Sequence, residues 1–219
     1  MDRAMNEYER ESERRLLAVR EQARRLVPHG APIVAVASMR TMHGVTALNG
    51  EVLPLVLASP AFTQAQFGAY STMENPWVLV VDGVLCGDHI PDLLPSLEQA
   101  VAKTAQIVIA AADFDQAMLA MLVVNHQRGT VGVAALALAD PTDLSPLRRL
   151  AELANAKASM VKGARLHVGS LGSLPELLMT TRETVVVGAA GAQPLALIHA
   201  GGETADAARA AAAVLCGMR

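Results

Sequence analysis

Three apolar segments follow one another between residues 74 and 129: ENPWVLVVD (74–82), IPDLLPSLEQAVAK (90–103) and AMLAMLVVNHQRG (117–129). The first contains an unbroken apolar run, residues 77–81, which is typical of a buried strand. The other two carry apolar residues at spacings of three and four, which indicates two helices, and Gly129 is suited to end the second of them. A further apolar run at residues 107–112 separates the two helices, so the region predicts a strand-helix-strand-helix unit.

Outward from this region, other short apolar runs predict strands and other periodic runs predict helices. The predicted strands are residues 33–37, 45–48, 52–57, 77–81, 107–112, 131–138 and 184–187. The predicted helices are residues 90–103, 114–128, 144–156 and 204–216. Strands that alternate with helices of this length predict an α/β fold.

The N-terminal residues differ in composition from the rest of the chain. Residues 1–27 contain seven Arg and six acidic residues, and apolar side chains recur there on one helical face, at Leu16, Val19, Ala23 and Leu26. Pro28 and Gly30 end the pattern. We therefore predict an N-terminal amphipathic helix, residues 1–28, followed by one domain at residues 29–219.

The composition disfavours several classes of function. Hydrophobic residues make up 52% of the 219 residues and charged residues 18%, so we expect a folded chain. Aromatic residues are only 3% and the net charge is −3, which argues against a nucleic-acid surface with stacking platforms. The N-terminus has no apolar signal region, and no apolar run reaches the length of a membrane span. We expect a soluble, cytoplasmic protein.

The residues that usually carry chemistry do not form a recognisable constellation. Cys86 and Cys216 are far apart, and the six histidines occur singly, so no metal site is expected. The glycine-rich stretches 169–173 and 188–192 lack the spacing of a phosphate-binding loop, and no cofactor is expected. We predict that the protein is not an enzyme; a polar pocket lined by Asp113 and His126 would reopen that alternative.

The helix predicted near residues 117–128 is more apolar than its length requires. Its run MLAMLVV (118–124) covers most of the helix circumference, so these apolar residues cannot all contact a single sheet. Such a helix is either fully buried in a core or part of an exposed apolar surface. Both interpretations stay open on periodicity alone.

These segments resemble the apical, substrate-binding domain of GroEL-type group I chaperonins. The resemblance lies in the order strand, helix with LPSLE (94–98), strand, helix ending LVVNHQRG (122–129), and strand at 131–138. Upstream, LASPAF (57–62) is similar to the Tyr-Leu-Ser-Pro-Tyr-Phe segment of that family, and residues 184–187, 195–199 and 201–203 resemble its closing strands and loop. The resemblance covers roughly residues 31–216 and implies a layered fold of β-sheets flanked by helices.

The resemblance also implies a function and a set of site residues. In that family, two helices and the preceding segment line a groove that binds non-native polypeptides and the mobile loop of a co-chaperonin. Here the groove would consist of Leu57, Ser59, Phe62, Leu94, Leu97, Leu119, Val123, Val124 and Asn125. Apolar residues of this kind bind by burying area, about 25 cal/mol per Å², without reading a sequence.

The chain departs from the family at several points, one of which is residues 140–149, where the family has a Gly-Phe-Gly-Asp-Arg-Arg element. Leu57 and Ala61 stand where the family has tyrosines, which removes two hydroxyl groups from the groove. The equatorial domain, which holds the nucleotide in the family, has no counterpart in these 219 residues. We therefore expect an ATP-independent polypeptide-binding module.

Two functional hypotheses follow from the resemblance. The first is a chaperone-like module that binds non-native or client polypeptides, alone or with a co-chaperonin-like or full-length chaperonin partner. The alternative is an assembly or scaffold subunit that stays bound to one dedicated partner protein. The N-terminal helix is expected either to pack on residues 204–216 through its apolar seam or to mediate homo-oligomer formation.

Overall fold

A computed structural model describes residues 2–38, 42–63, 70–103, 105–129, 131–162, 165–201 and 205–217. Within these residues the helices are α1 Asp2–Leu26, α2 Ile90–Ala102, α3 Gln116–Arg128, α4 Ser145–Ala154 and α5 Ala205–Gly217. The strands are β1 Ile33–Ala37, β2 Gly44–Leu53, β3 Leu55–Leu57, β4 Tyr70–Glu74, β5 Trp77–Leu85, β6 Ile107–Phe114, β7 Val133–Leu138, β8 Ser159–Lys162, β9 Arg165–His167, β10 Gly172–Ser173, β11 Glu176–Thr180, β12 Thr184–Val187 and β13 Gln193–Ala200. Short 3-10 turns occur at Pro60–Phe62 and Gly87–His89.

The chain divides into two compact units. Among the described residues, those within 2–50 and 192–217 belong to the first unit, and those within 51–63 and 70–191 belong to the second. The first unit therefore includes α1, the segment that we predict to precede the main domain. The predicted boundary near residue 28 stays a prediction.

The first unit contains a small mixed sheet covered by helices. Strand β13 pairs parallel with β1 and antiparallel with β2. Leu16 and Ala23 of α1 are buried in one cluster with residues of the other elements of the unit, which are Ala35 and Ala37 of β1, Ala196, Ile198 and Ala200 of β13, and Ala208, Ala212 and Leu215 of α5. Helix α1 thus packs on α5 and on the sheet, with Val27 buried where the seam predicts Leu26.

The second unit is built on a mixed sheet in the order β3-β7-β6-β5-β8-β9. Strands β5, β6 and β7 are adjacent and parallel, and α2 and α3 are the connections between them. Because such crossovers are right-handed, two successive steps in the same direction place α2 and α3 side by side on one face of the sheet. The step from β7 back to β8 runs in the opposite direction, which places α4 on the other face.

The core of this unit is aliphatic. Residues 78–81 of β5, residues 107–111 of β6 and residues 133–136 of β7 are almost fully buried, as expected for parallel strands covered on both faces. A second, antiparallel set of strands, in the order β12-β11-β4, belongs to the same unit. The Thr184 hydroxyl donates a buried hydrogen bond of 2.8 Å to the Leu55 carbonyl.

Several predicted elements differ from the structure for local reasons. The strand predicted at residues 52–57 is interrupted at Pro54, which has no N–H to donate to a ladder. Phe114 ends β6 instead of starting a helix, because Asp115 is the N-cap of α3. The strand predicted from residue 131 begins at Val133, and the helix predicted at residues 144–156 spans Ser145–Ala154. Thr204 and residues 202–203 lie outside the described residues.

Asp115 joins the starts of the two helices that lie side by side. Its Oδ1 accepts a hydrogen bond of 2.8 Å from the Met118 N–H, which caps α3. Its Oδ2 accepts one of 2.9 Å from the N–H of Gly87, in the 3-10 turn that leads into α2. These backbone donors, Met118 first and Gly87 second, lower the pKa of the Asp115 carboxyl below its ordinary value.

We predict that Leu16→Ala destabilises the protein, whereas Leu17→Ala does not. Leu16 of α1 is buried against the other elements of the first unit. Its truncation to alanine is expected to lower the unfolding free energy by about 2 to 5 kcal/mol. The adjacent Leu17 is 49% exposed, so its truncation should stay within about 0.5 kcal/mol. Chemical denaturation measures both values, and equal stabilities of the two variants would contradict the packing of α1.

We predict that Asp115→Ala lowers the melting temperature at neutral pH, and Asp115→Asn lowers it less, because Asn keeps one acceptor for the Met118 N–H. A carboxyl whose pKa is lower in the folded state stabilises the fold above its unfolded pKa, and this contribution is lost as the pH falls through the folded value. The difference between wild type and Asp115→Ala should therefore shrink on acidification. The exposed Asp82→Asn is the matched control, and a pH-independent difference would contradict the assignment.

Candidate functional site

Helix α2 carries two different stripes on its opposite flanks. Ile90, Leu94, Leu97 and Val101 recur at the spacing i, i+4, i+7, i+11 and form an apolar stripe. Asp92, Ser96, Gln99 and Lys103 recur at the same spacing and form a polar stripe. The Asp92 Oδ2 accepts a hydrogen bond of 2.9 Å from the Leu166 N–H of β9, so the polar stripe faces the β8–β9 side. The apolar stripe therefore faces α3.

Helix α3 also has two flanks with different neighbours. Leu119, Val123 and His126 form one stripe, and the His126 Nδ1 donates a hydrogen bond of 2.8 Å to the Val133 carbonyl of β7. This flank thus faces β7, away from α2. The opposite stripe contains Ala117, Met121, Val124 and Arg128, and it faces α2. Consistent with this, a Cβ on Gly87 would lie 3.0 Å from the Cβ of Ala117.

The two facing stripes form an apolar groove, which we call the α2–α3 groove. Leu94, Val101 and Val124 are its exposed large apolar members, each with 41% or 42% of its surface accessible. Ala117 and Arg128 of the α3 stripe are exposed as well. Leu97 is buried and lies below them, whereas Met121 is half-buried. Together with Met121, these exposed aliphatic side chains give the two facing helix flanks an apolar surface.

The structure separates the nine predicted site residues into two groups. The first group borders the space between the two helices: Leu94 and Leu97 belong to α2, and Val124 and Asn125 lie on the side of α3 that faces α2. Leu57, Ser59, Phe62, Leu119 and Val123 lie on the opposite side of α3, around the 3-10 turn at Pro60–Phe62. Leu57 and Phe62 are buried, and Leu119 and Val123 are half-buried against the core.

The group around the 3-10 turn is engaged in local structure. The Ser59 hydroxyl oxygen accepts a hydrogen bond of 3.2 Å from the Ala61 N–H and caps the turn. The Phe62 ring, with none of its surface exposed, meets the His126 ring edge to face at 5.5 Å. This group packs on the side of α3 that faces away from α2, and its role in binding stays a prediction.

Asn125 points partly into its own helix. Its Nδ2 donates to the Met121 carbonyl at 2.9 Å and lies 3.3 Å from the Met121 Sδ. What Asn125 can offer a bound chain is therefore its acceptor Oδ1. Met121, expected from the sequence to add an adaptable surface to the groove, lies in it, whereas Met118 is fully buried against the sheet. Val101 also belongs to the groove but is absent from the predicted set; the i, i+4, i+7, i+11 row of α2 is the signal that identifies it.

Other features of the second unit favour structural roles. Asp113 accepts a hydrogen bond from the Phe114 N–H, and His126 is committed to Val133. A cavity of 660 Å³ beside α2 is lined by neither Asp113 nor His126. Glycine is required at positions 169 and 172, because a Cβ there would lie 2.1 Å from the Lys157 carbonyl oxygen and 2.2 Å from that of Ala154.

No cluster of three or more His, Cys, Asp or Glu side chains in the described part of the chain could hold a metal ion. No helix among the described residues is both long enough and apolar enough to cross a membrane.

Comparison with known proteins identifies relatives by fold. No family model matches the chain. Two crystal structures of the chaperonin gp146 from the bacteriophage EL 2 (Pseudomonas aeruginosa), determined in the presence of ATP-BeFx, are similar to it. Crystal form II has a TM-score of 0.56 at 12% sequence identity, and crystal form I has 0.55 at 13%. Each match covers 85% of this chain and 44% of the chaperonin chain, so this chain spans less than half the length of the chaperonin that it matches. At this level of identity the likeness concerns the fold, and the chain has a chaperonin-like fold.

Proposed function

We propose that the chain is a counterpart of the polypeptide-binding, apical part of a chaperonin. In this proposal the α2–α3 groove binds apolar segments of non-native proteins, without nucleotide. The observation that carries the proposal is the exposure of Leu94, Val101 and Val124 on two adjacent helix flanks. The chaperonin-like fold supports the assignment of these helices to a binding role.

The physical properties of the groove suit varied clients. Aliphatic side chains recognise apolar area and not sequence, since they make no directional hydrogen bonds. Met121, an unbranched and polarizable side chain, adapts its shape to different partners. The two-helix arrangement accepts an amphipathic or extended segment along its length.

The groove has a rigid base on which these side chains are displayed. Leu93 and Ala100 of α2 and Met118 and Leu122 of α3 are fully buried against the sheet. Asp115 fixes the starts of both helices to each other. A client would therefore meet a preformed surface and would not have to order it, which reduces the entropic cost of binding.

Nucleotide has no step in this mechanism. Gly169 and Gly172 serve the close approach of neighbouring carbonyl groups, and a phosphate-binding loop sequence is absent from the chain. The proposal therefore gives these glycines a packing role and assigns no nucleotide to the chain. A client would stay bound or be released according to the balance between its free energy of binding to the groove and its own free energy of folding.

We predict that Leu94→Ser and Val124→Ser each weaken the binding of an unfolded model protein by about tenfold, because each removes apolar area from the contact. Suppression of aggregation of that protein, measured by light scattering, should fall in parallel, in the absence of ATP. Val214→Ser is the matched control, since Val214 is 45% exposed but belongs to α5 in the other unit. Full activity in both groove variants would refute groove binding.

The same experiment separates the alternative of a scaffold subunit with one dedicated partner. Such a subunit would have little effect on the model protein and would co-purify from its host with a single protein in stoichiometric amount. Loss of that co-purification in Leu94→Ser, but not in Val214→Ser, would still assign the partner to the groove.

A further inference from the structure

We propose that the cavity on the polar flank of α2 binds a small hydroxylated carboxylate. This site is separate from the α2–α3 groove, because it uses the opposite stripe of the helix. Its walls come from the start of β5, from α2, from the end of α4 and from residues 168–173. The volume of 660 Å³ lies in the range of small-molecule sites.

The polar residues that line the cavity come from separate segments. Ser96 and Gln99 project from α2, Asn155 follows the last turn of α4, and Ser170 and Ser173 belong to the opposite wall. Hydroxyl and amide side chains both donate and accept hydrogen bonds. A ligand that carries several hydroxyl groups matches this arrangement better than an apolar one.

Lys103 brings a positive charge to the cavity. Among the described residues that line it, Lys103 is the one with a formal charge, and its Nζ lies 4.9 Å from the centroid of the Trp77 ring. The ring attracts the ammonium group and keeps it near the wall of the cavity. One ammonium group matches one negative charge, which favours a carboxylate over a doubly charged phosphate.

The wall opposite α2 is held in place by backbone contacts. The Gly169 N–H donates to the Ser159 hydroxyl oxygen at 2.8 Å, and the Lys157 N–H donates to both the carbonyl and the hydroxyl oxygen of Ser170, each at 3.0 Å. The Ser170 hydroxyl keeps its hydrogen to donate to a ligand. Gly172 packs so closely on the Ala154 carbonyl that no side chain fits between them. The cavity is therefore preformed, and a ligand would not have to order its wall.

Trp77 provides a direct test, because it is the only tryptophan in the chain and it lines the cavity. We predict that sodium glucuronate causes a saturable change in Trp77 fluorescence at constant ionic strength, and that glucose, which lacks the carboxylate, does not. Lys103→Met should weaken glucuronate binding by about tenfold or more, the loss expected for one charge-assisted hydrogen bond. Calorimetry with the same two compounds provides a readout independent of the tryptophan.

Lys162→Met is the matched control, since Lys162 is an exposed lysine of β8 that does not line the cavity. It should bind glucuronate as the wild type does, and so should the groove variant Leu94→Ser. The proposal is overturned if neither method detects saturable binding, if glucose and glucuronate bind equally, or if Lys103→Met binds unchanged. Because the readout does not involve polypeptide, failure here would leave the proposed groove function untouched.

Discussion

The right-handed connection between adjacent parallel strands is the constraint on which the rest of the second unit depends. Two such connections in succession, from β5 to β6 and from β6 to β7, force α2 and α3 onto one face of the sheet. Asp115 then fixes their starts to each other through two backbone N–H groups. The apolar groove follows from this placement, since each helix turns one apolar stripe toward the other.

Helix α2 has to satisfy three environments at once. Leu93 and Ala100 face the sheet, whereas Leu94 and Val101 face α3 and remain accessible. The third stripe, which includes Asp92 and Lys103, borders β9 and the cavity. This division explains why the helix carries more apolar residues than its contact with the sheet requires, and why its remaining flank is polar.

The sequence predicts the centre of the second unit well because its strands are long apolar runs and its helices have clear periodicity. It predicts the edges poorly: β8, β9 and β10 have two to four residues each, and runs that short have no measurable period. The candidate site is predicted in part. Leu94 and Val124 are predicted from the resemblance to the chaperonin apical domain, since the helical pattern alone does not separate a core position from an exposed one. The orientation of Leu119 and Val123 depends on the contact of His126 with β7, which the helical pattern does not show. The cavity could not be predicted, because its walls come from four separate segments.

The central claim, that the α2–α3 groove is a polypeptide-binding surface, is tested most directly by methyl NMR. Leucine and valine methyl groups are labelled, and a permanently unfolded polypeptide is added in the absence of nucleotide. The account predicts that the resonances of Leu94, Val101 and Val124 shift together, while those of Leu17 and Val214, which are equally exposed in the other unit, do not. Shifts confined to Leu17 and Val214, or no shifts at all, would contradict it.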